Sequence, residues 1–204
     1  MKKTLIFAFT AGTILFVWQF LSFAAINLHE ADQRYHPMQD SILVDLAAYG
    51  LDDAGYMLGQ PAPDATNEER EAFMGTRAGQ PWAHVVWHPA QDTDMLKPLL
   101  RGFTSNLFIA GLLFWLLGQL RTVSPGRGAW VTLVLSYIGY TYFIYSDHVW
   151  YDIPDHVVHL VDAVVPWTLI GALGGWMHAR NRAYPGPPEL LVAGFGPVGA
   201  GLVG

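Results

Sequence analysis

The chain reads as an all-α membrane protein: four transmembrane helices, with a mostly helical or irregular extracytoplasmic insert between the first and the second. Three observations predict this. Four stretches run for about 17 residues or more with almost no charge. The basic residues that flank them gather on one side. A single long connection, residues 28–101, is strongly acidic. Open sheet leaves backbone groups unpaired in lipid, so the apolar stretches are expected to be helices.

The first stretch runs from Leu5 to Asn27, behind Lys2 and Lys3. At 1.5 Å per residue it is long enough for a hydrocarbon layer of about 30 Å. Ser22-Phe23-Ala24 resembles the small-x-small pattern of a cleaved signal peptide. The run exceeds the usual apolar length of such a signal, so retention as a helix is expected. The second stretch is Gly102–Leu120 and the third is Ala129–Ser146. The fourth is Val157–Met177, which carries one carboxylate, Asp162, near its outer end. These divide the chain into helix one (1–27), the insert (28–101), helices two to four (102–183) and a Gly/Pro-rich tail (184–204).

Charge sets the orientation. Lys2, Lys3, Arg121, Arg127, Arg180 and Arg182 flank the spans on one side, against Glu189 alone. The insert holds twelve acids against five basic residues, and Asp147, Asp152 and Asp155 join it on the other side. Lys and Arg stay in the cytoplasm, so both termini are expected there, and the insert is expected outside.

An insert of this length is expected to hold structure of its own. Asp40-Ser41 precedes Ile42, Leu43, Leu46, Ala47 and Ala48, a helical face ended by Gly50. Thr66 and Glu69 have capping-box spacing, with a helix expected to Met74 before Gly75. Gly59-Gln60-Pro61-Ala62-Pro63 reads as a turn. Pro81–His88 reads as a short strand or as a segment lying on the bundle. Asp92-Thr93-Asp94 is placed to cap a helix leading into span two, with Pro98 in its first turns. The tail from Tyr184 to Gly204 is too short and too glycine-rich to span. It reads as a loose tail or as a segment held by a partner.

Composition excludes much. Charged residues are 14% of the chain and apolar residues 52%, where a soluble domain carries about 25% charge. The absence of cysteine removes disulfides, thiolate metal sites and cysteine nucleophiles. An acidic chain without a basic face is no nucleic-acid binder. No phosphate-binding glycine loop is present, and no repeat relates the two halves, as many transporters would require.

Chemistry concentrates on the outer side, where seven of the eight histidines fall: His29, His36, His84, His88, His148, His156 and His159. The densest group is Asp147, His148, Asp152, Asp155, His156, His159 and Asp162. Asp155, His159 and Asp162 share one helical face at i, i+4 and i+7. Imidazole and carboxylate ligate Zn²⁺, Cu²⁺ or non-haem iron. The candidate metal set is therefore His148, His156, His159, Asp155 and Asp162, with a metal or a haem as the cofactor. A structural polar cluster, with Asp155 as the N-cap of span four, is the competing reading. His84 and His88 are four apart and offer a second pair.

Asp162 is costly within a span and is expected to face the bundle with a partner. It reads as a proton relay with His159, or as one end of a hydrogen-bonded seam with Thr132, Ser136, Tyr140 and Asp147 of span three. Small residues at Ala8 and Gly12, Gly171 and Gly175, and Gly111 and Gly118 mark faces for close packing, within the bundle or against another subunit.

Several strings resemble a group of small, uncharacterised bacterial four-helix inner-membrane proteins with a periplasmic insert. They are Gly12-Thr13-Ile14-Leu15-Phe16-Val17-Trp18-Gln19-Phe20-Leu21-Ser22, Gln39-Asp40-Ser41-Ile42, Gln80-Pro81-Trp82-Ala83, Trp150-Tyr151-Asp152-Ile153-Pro154 and Asp162-Ala163-Val164-Val165-Pro166-Trp167. The resemblance implies the topology and a bacterial origin, and carries no activity. The C-terminal tail departs from it. Without a catalytic signature, the chain is expected to be a non-catalytic membrane subunit. Its partners would be the lipid bilayer and protein subunits of a larger respiratory or photosynthetic complex. A metal- or haem-binding membrane protein is the alternative.

Overall fold

The computed structural model describes residues 2–182. The tail expected from Tyr184 to Gly204 lies outside the described residues. Helix α1 (Lys2–Phe20) passes into a π-helical turn, Leu21–Ala25. The insert follows as α2 (Gln39–Ala48), β1 (Ala54–Leu58), α3 (Asn67–Arg77) and β2 (Ala83–Trp87). Then come α4 (Leu96–Gly118) and α5 (Pro125–Tyr140), a second π turn (Thr141–Tyr145), α6 (Ser146–Tyr151) and α7 (His156–Arg182). Among the described residues, Lys2–Ala25, Leu96–Gly118 and His156–Arg180 are long and apolar enough to cross a membrane. The third expected span falls on α5, the second π turn and the start of α6. The π turn interrupts this stretch, leaving α5 with 16 residues of regular helix.

The core lies where α1, α4 and α7 meet. It is built from Phe7, Ala11 and Leu15 of α1, Ala110, Leu113, Phe114 and Leu117 of α4, and Ile170 of α7. Phe7 stacks on Phe114 with ring centres 4.8 Å apart. His178 donates from Nε2 to the Phe114 carbonyl at 2.9 Å and stacks on the same ring. The buried Asn106 donates from Nδ2 to Gln19 Oε1 at 2.9 Å, a polar link between α1 and α4.

The glycine faces are used inside this bundle. A Cβ on Gly171 would stand 2.2 Å from Thr132 Oγ1, and one on Gly175 would stand 2.2 Å from the Ser124 carbonyl. Backbone therefore packs on backbone between α5 and α7. Gly12 plays the same part between α1 and α4, where a Cβ would lie 3.0 Å from the Leu107 backbone. Ser124 caps α5 by accepting from Arg127 N, and Pro125 opens the helix.

The insert is not only helical or irregular. Strands β1 and β2 pair antiparallel, from Ala54 opposite Trp87 to Leu58 opposite Ala83. The capping box of α3 is formed: Thr66 Oγ1 accepts from Glu69 N at 3.2 Å, and Glu69 Oε2 accepts from Thr66 N at 2.8 Å. This helix runs past Gly75 to Arg77, where Ala78 turns extended (φ −54°, ψ 122°) and Gly79, at φ 75°, completes a turn closed by Gln80 N on the Arg77 carbonyl at 2.9 Å. Asp94 Oδ1 accepts from Leu96 N at 3.0 Å at the start of α4. Pro98 falls in that first turn, where a missing N–H breaks no helical bond. Helix α2 buries none of its residues.

Candidate functional site

Backbone irregularities bring four ionisable side chains together at one end of the bundle. The π turn Leu21–Ala25 ends with Leu28 N bonded to the Ser22 carbonyl at 2.8 Å. Asn27 then adopts a left-handed conformation, φ 54°, which asparagine tolerates better than most residues. The chain folds back, and His29 lies stacked on Phe23, with ring centres 3.8 Å apart and planes 9° apart. On the other side, Asp152 at φ 50° ends α6, and the Ile153-Pro154 turn leads to Asp155, the residue before α7. The proline at Pro166 has no N–H to give the carbonyl four residues earlier. That carbonyl belongs to Asp162, so the helix is perturbed where it carries its acid.

His29 is 1% exposed and Asp155 3%. Nδ1 of His29 stands 2.5 Å from Asp155 Oδ2, and Nε2 stands 2.9 Å from Asp162 Oδ2. An ionised carboxylate only accepts. With both acids ionised, both ring nitrogens donate and His29 is a cation. Burial alone would lower its pKa. The bonds to Asp155 and Asp162 and the charges of both acids outweigh it, and hold the imidazole above its ordinary value of 6.5. The other oxygen of Asp162 accepts from Trp18 Nε1 at 2.9 Å and from Ser22 Oγ at 2.8 Å. His159 Nε2 lies 3.3 Å from Asp155 Oδ2, and its ring centre lies 4.6 Å from that of His29.

The expected metal set divides in two. Asp155, His159 and Asp162 come together, joined by His29, which sequence reading left outside the set. His148 and His156 form a separate pair, their rings stacked at 3.6 Å. Their Nδ1 atoms lie 3.0 and 3.4 Å from the Ile153 carbonyl. His84 and His88 are engaged apart: His84 stacks on Tyr151, and His88 Nδ1 meets Asp53 at 2.8 Å. Among the described residues, those that could hold a metal are His29, His159 and Asp162, which offer one ligand atom each within 4.8 Å of one another.

The seam expected between Asp162 and span three is not formed. Thr132 and Ser136 are buried, but their hydroxyls bond the Gly128 and Leu133 carbonyls of their own helix. Asp147 is exposed. Partners for Asp162 come instead from α1 and the segment after it. Trp18 and Ser22 are four apart, hence on one helical face, and that polar pair near the end of an apolar run was the available signal. Family models give no match to this chain, and neither the curated proteins nor the solved structures hold one.

Proposed function

We propose that the chain is a four-span protein of the bacterial cytoplasmic membrane with both termini inside, and that it serves as a non-catalytic subunit of a larger membrane assembly. The uncharged run from Ala129 to Ser146, continuous through the π turn, supports the remaining span. The one-sided placement of Lys and Arg supports the orientation. The observation that carries the subunit reading is α2. Its Ile42, Leu43 and Val44 are all exposed, in a segment that the topology keeps out of the hydrocarbon layer. Leu43, Val44 and Ala47 also line a groove of about 800 Å³ with Trp87, His88 and Pro89. Apolar surface left uncovered in water marks a contact with another protein. The insert that carries this groove holds twelve acids against five basic residues, and Asp53 and Asp92 line the groove itself, which favours a partner that is apolar with a basic rim.

Extraction in a mild detergent followed by native mass measurement tests this reading. A stoichiometric partner that is lost in Leu43→Ser/Val44→Ser is the expected result. A lone monomer, or a partner retained unchanged by that variant, contradicts it.

A further inference from the structure

We propose that His29, His159 and Asp162 bind one divalent first-row transition ion, with Asp155, Trp18 and Ser22 as the shell that orients them. This goes beyond the subunit reading and stands without it. The donor set is two imidazoles and one carboxylate, which suits Zn²⁺ and its neighbours in the row rather than Ca²⁺ or Mg²⁺. One ligand atom from each residue already lies within 4.8 Å of the others. Ligands about 2.0–2.1 Å from a tetrahedral Zn²⁺ stand roughly 3.3 Å apart, so small side-chain rotations close the set.

The surroundings are those that a metal centre needs. Metal-bound histidines hand their second ring nitrogen to a carboxylate or a carbonyl. Here Asp155 Oδ2 takes Nδ1 of His29 at 2.5 Å, which leaves Nε2 turned toward Asp162 Oδ2. Asp162 is oriented in the same way. Trp18 Nε1 and Ser22 Oγ both donate to Oδ1, so Oδ2 remains for the ion. A ligand nitrogen must be free of its proton. The ion therefore takes the place of the Nε2 proton of His29, which leaves to the buffer, and the +2 charge balances the two carboxylates. The centre also has an opening. The side chains of His159 and Asp162 are 25% and 19% exposed, while those of His29 and Asp155 are 1% and 2%. An ion enters past the first two, and a water completes its coordination on that side. His148 and His156 take no part, because their Nδ1 atoms are turned to the Ile153 carbonyl and the acid beside them, Asp152, 3.7 Å from His148 Nδ1, is exposed.

Tag-free protein in detergent, stripped with EDTA, loaded with ZnCl₂ and desalted, is assayed for retained zinc, with Co²⁺ absorption as a second readout. About one Zn²⁺ per chain is expected, together with a Co²⁺ spectrum of nitrogen and oxygen ligation. His159→Ala and Asp162→Asn are expected to abolish retention. Asp155→Asn weakens affinity roughly tenfold to a hundredfold, as loss of an orienting carboxylate does. His148→Ala/His156→Ala retains the ion. His159→Ala, whose residue is partly exposed, decides the matter if the other variants lose their helical circular dichroism. The proposal is overturned by wild-type protein that retains no stoichiometric Zn²⁺. Retention unchanged in His159→Ala, or lost in the His148/His156 variant, overturns it equally.

Discussion

Helix α7 meets α5 and the chain around α1 by opposite means. Against α5 it removes side chains altogether: Gly171 and Gly175 let backbone meet Thr132, Gly128 and Ser124. Against α1 it brings in charge, with Asp155 and Asp162 clasping His29 while Trp18 and Ser22 secure the second acid. The first contact is van der Waals packing, intolerant of one added methyl group. The second is an ion-paired network that is favourable only while every member is present, because a buried charge left without its partner is costly. Shape can be specified by the spacing of small residues along a single helix. Charge compensation needs partners that arrive from distant segments.

Removing the clasp has the largest expected effect. His29→Ala leaves two acids facing each other without a cation, and should destabilise the bundle by about 3–5 kcal/mol. Loss of helicity on heating in detergent measures it, and an unchanged transition would mean that α1 and α7 are held by apolar packing alone. Gly171→Ala comes next, at about 1–3 kcal/mol for an overpacked contact. Gly111→Ala is its control, since a Cβ there would lie 3.9 Å from that of Ala8, an ordinary contact. Equal effects from these two would remove the distinction drawn for α5.

The pH dependence sharpens the comparison on the α1 side. The pKa of His29 is raised in the folded chain. Its contribution is therefore complete below its unfolded value, about 6.5, and is lost as pH rises through the folded value. In chelator-treated protein, the stability gap between wild type and His29→Gln should narrow as pH rises. A gap that widens has the wrong sign for this account. The smallest effect belongs to His148→Ala, which gives up a hydrogen bond at the Ile153 carbonyl worth about 0.5–1.5 kcal/mol. It should leave the pH dependence of His29 in place.

What was legible in the sequence follows the same division. The capping box at Thr66 and Glu69, the helix at Gln39–Ala48 and the packing face of Gly171 and Gly175 are local patterns, and all of them form. Asp155, His159 and Asp162 were legible as one face of α7. Strand β1 was not, because Ala54–Leu58 has little strand character alone and is defined by pairing with Ala83–Trp87. The partners of Asp162 were sought on the neighbouring helix in sequence, at Thr132, Ser136, Tyr140 and Asp147. They come instead from Trp18, Ser22 and His29. No periodicity announces the π turn and the left-handed Asn27 that turn His29 back, so its place in the centre depends on tertiary structure.

The proposed topology puts the acidic insert, with the histidine centre beside it, on the outer face of four spans. The chain has no cysteine, so single cysteines can be introduced without a background, at Glu71→Cys in the insert and Thr122→Cys between α4 and α5. Labelling intact cells with a membrane-impermeant maleimide should modify residue 71 at once, and residue 122 only after the membrane is opened. The reverse pattern, or equal labelling of both in intact cells, would contradict the account.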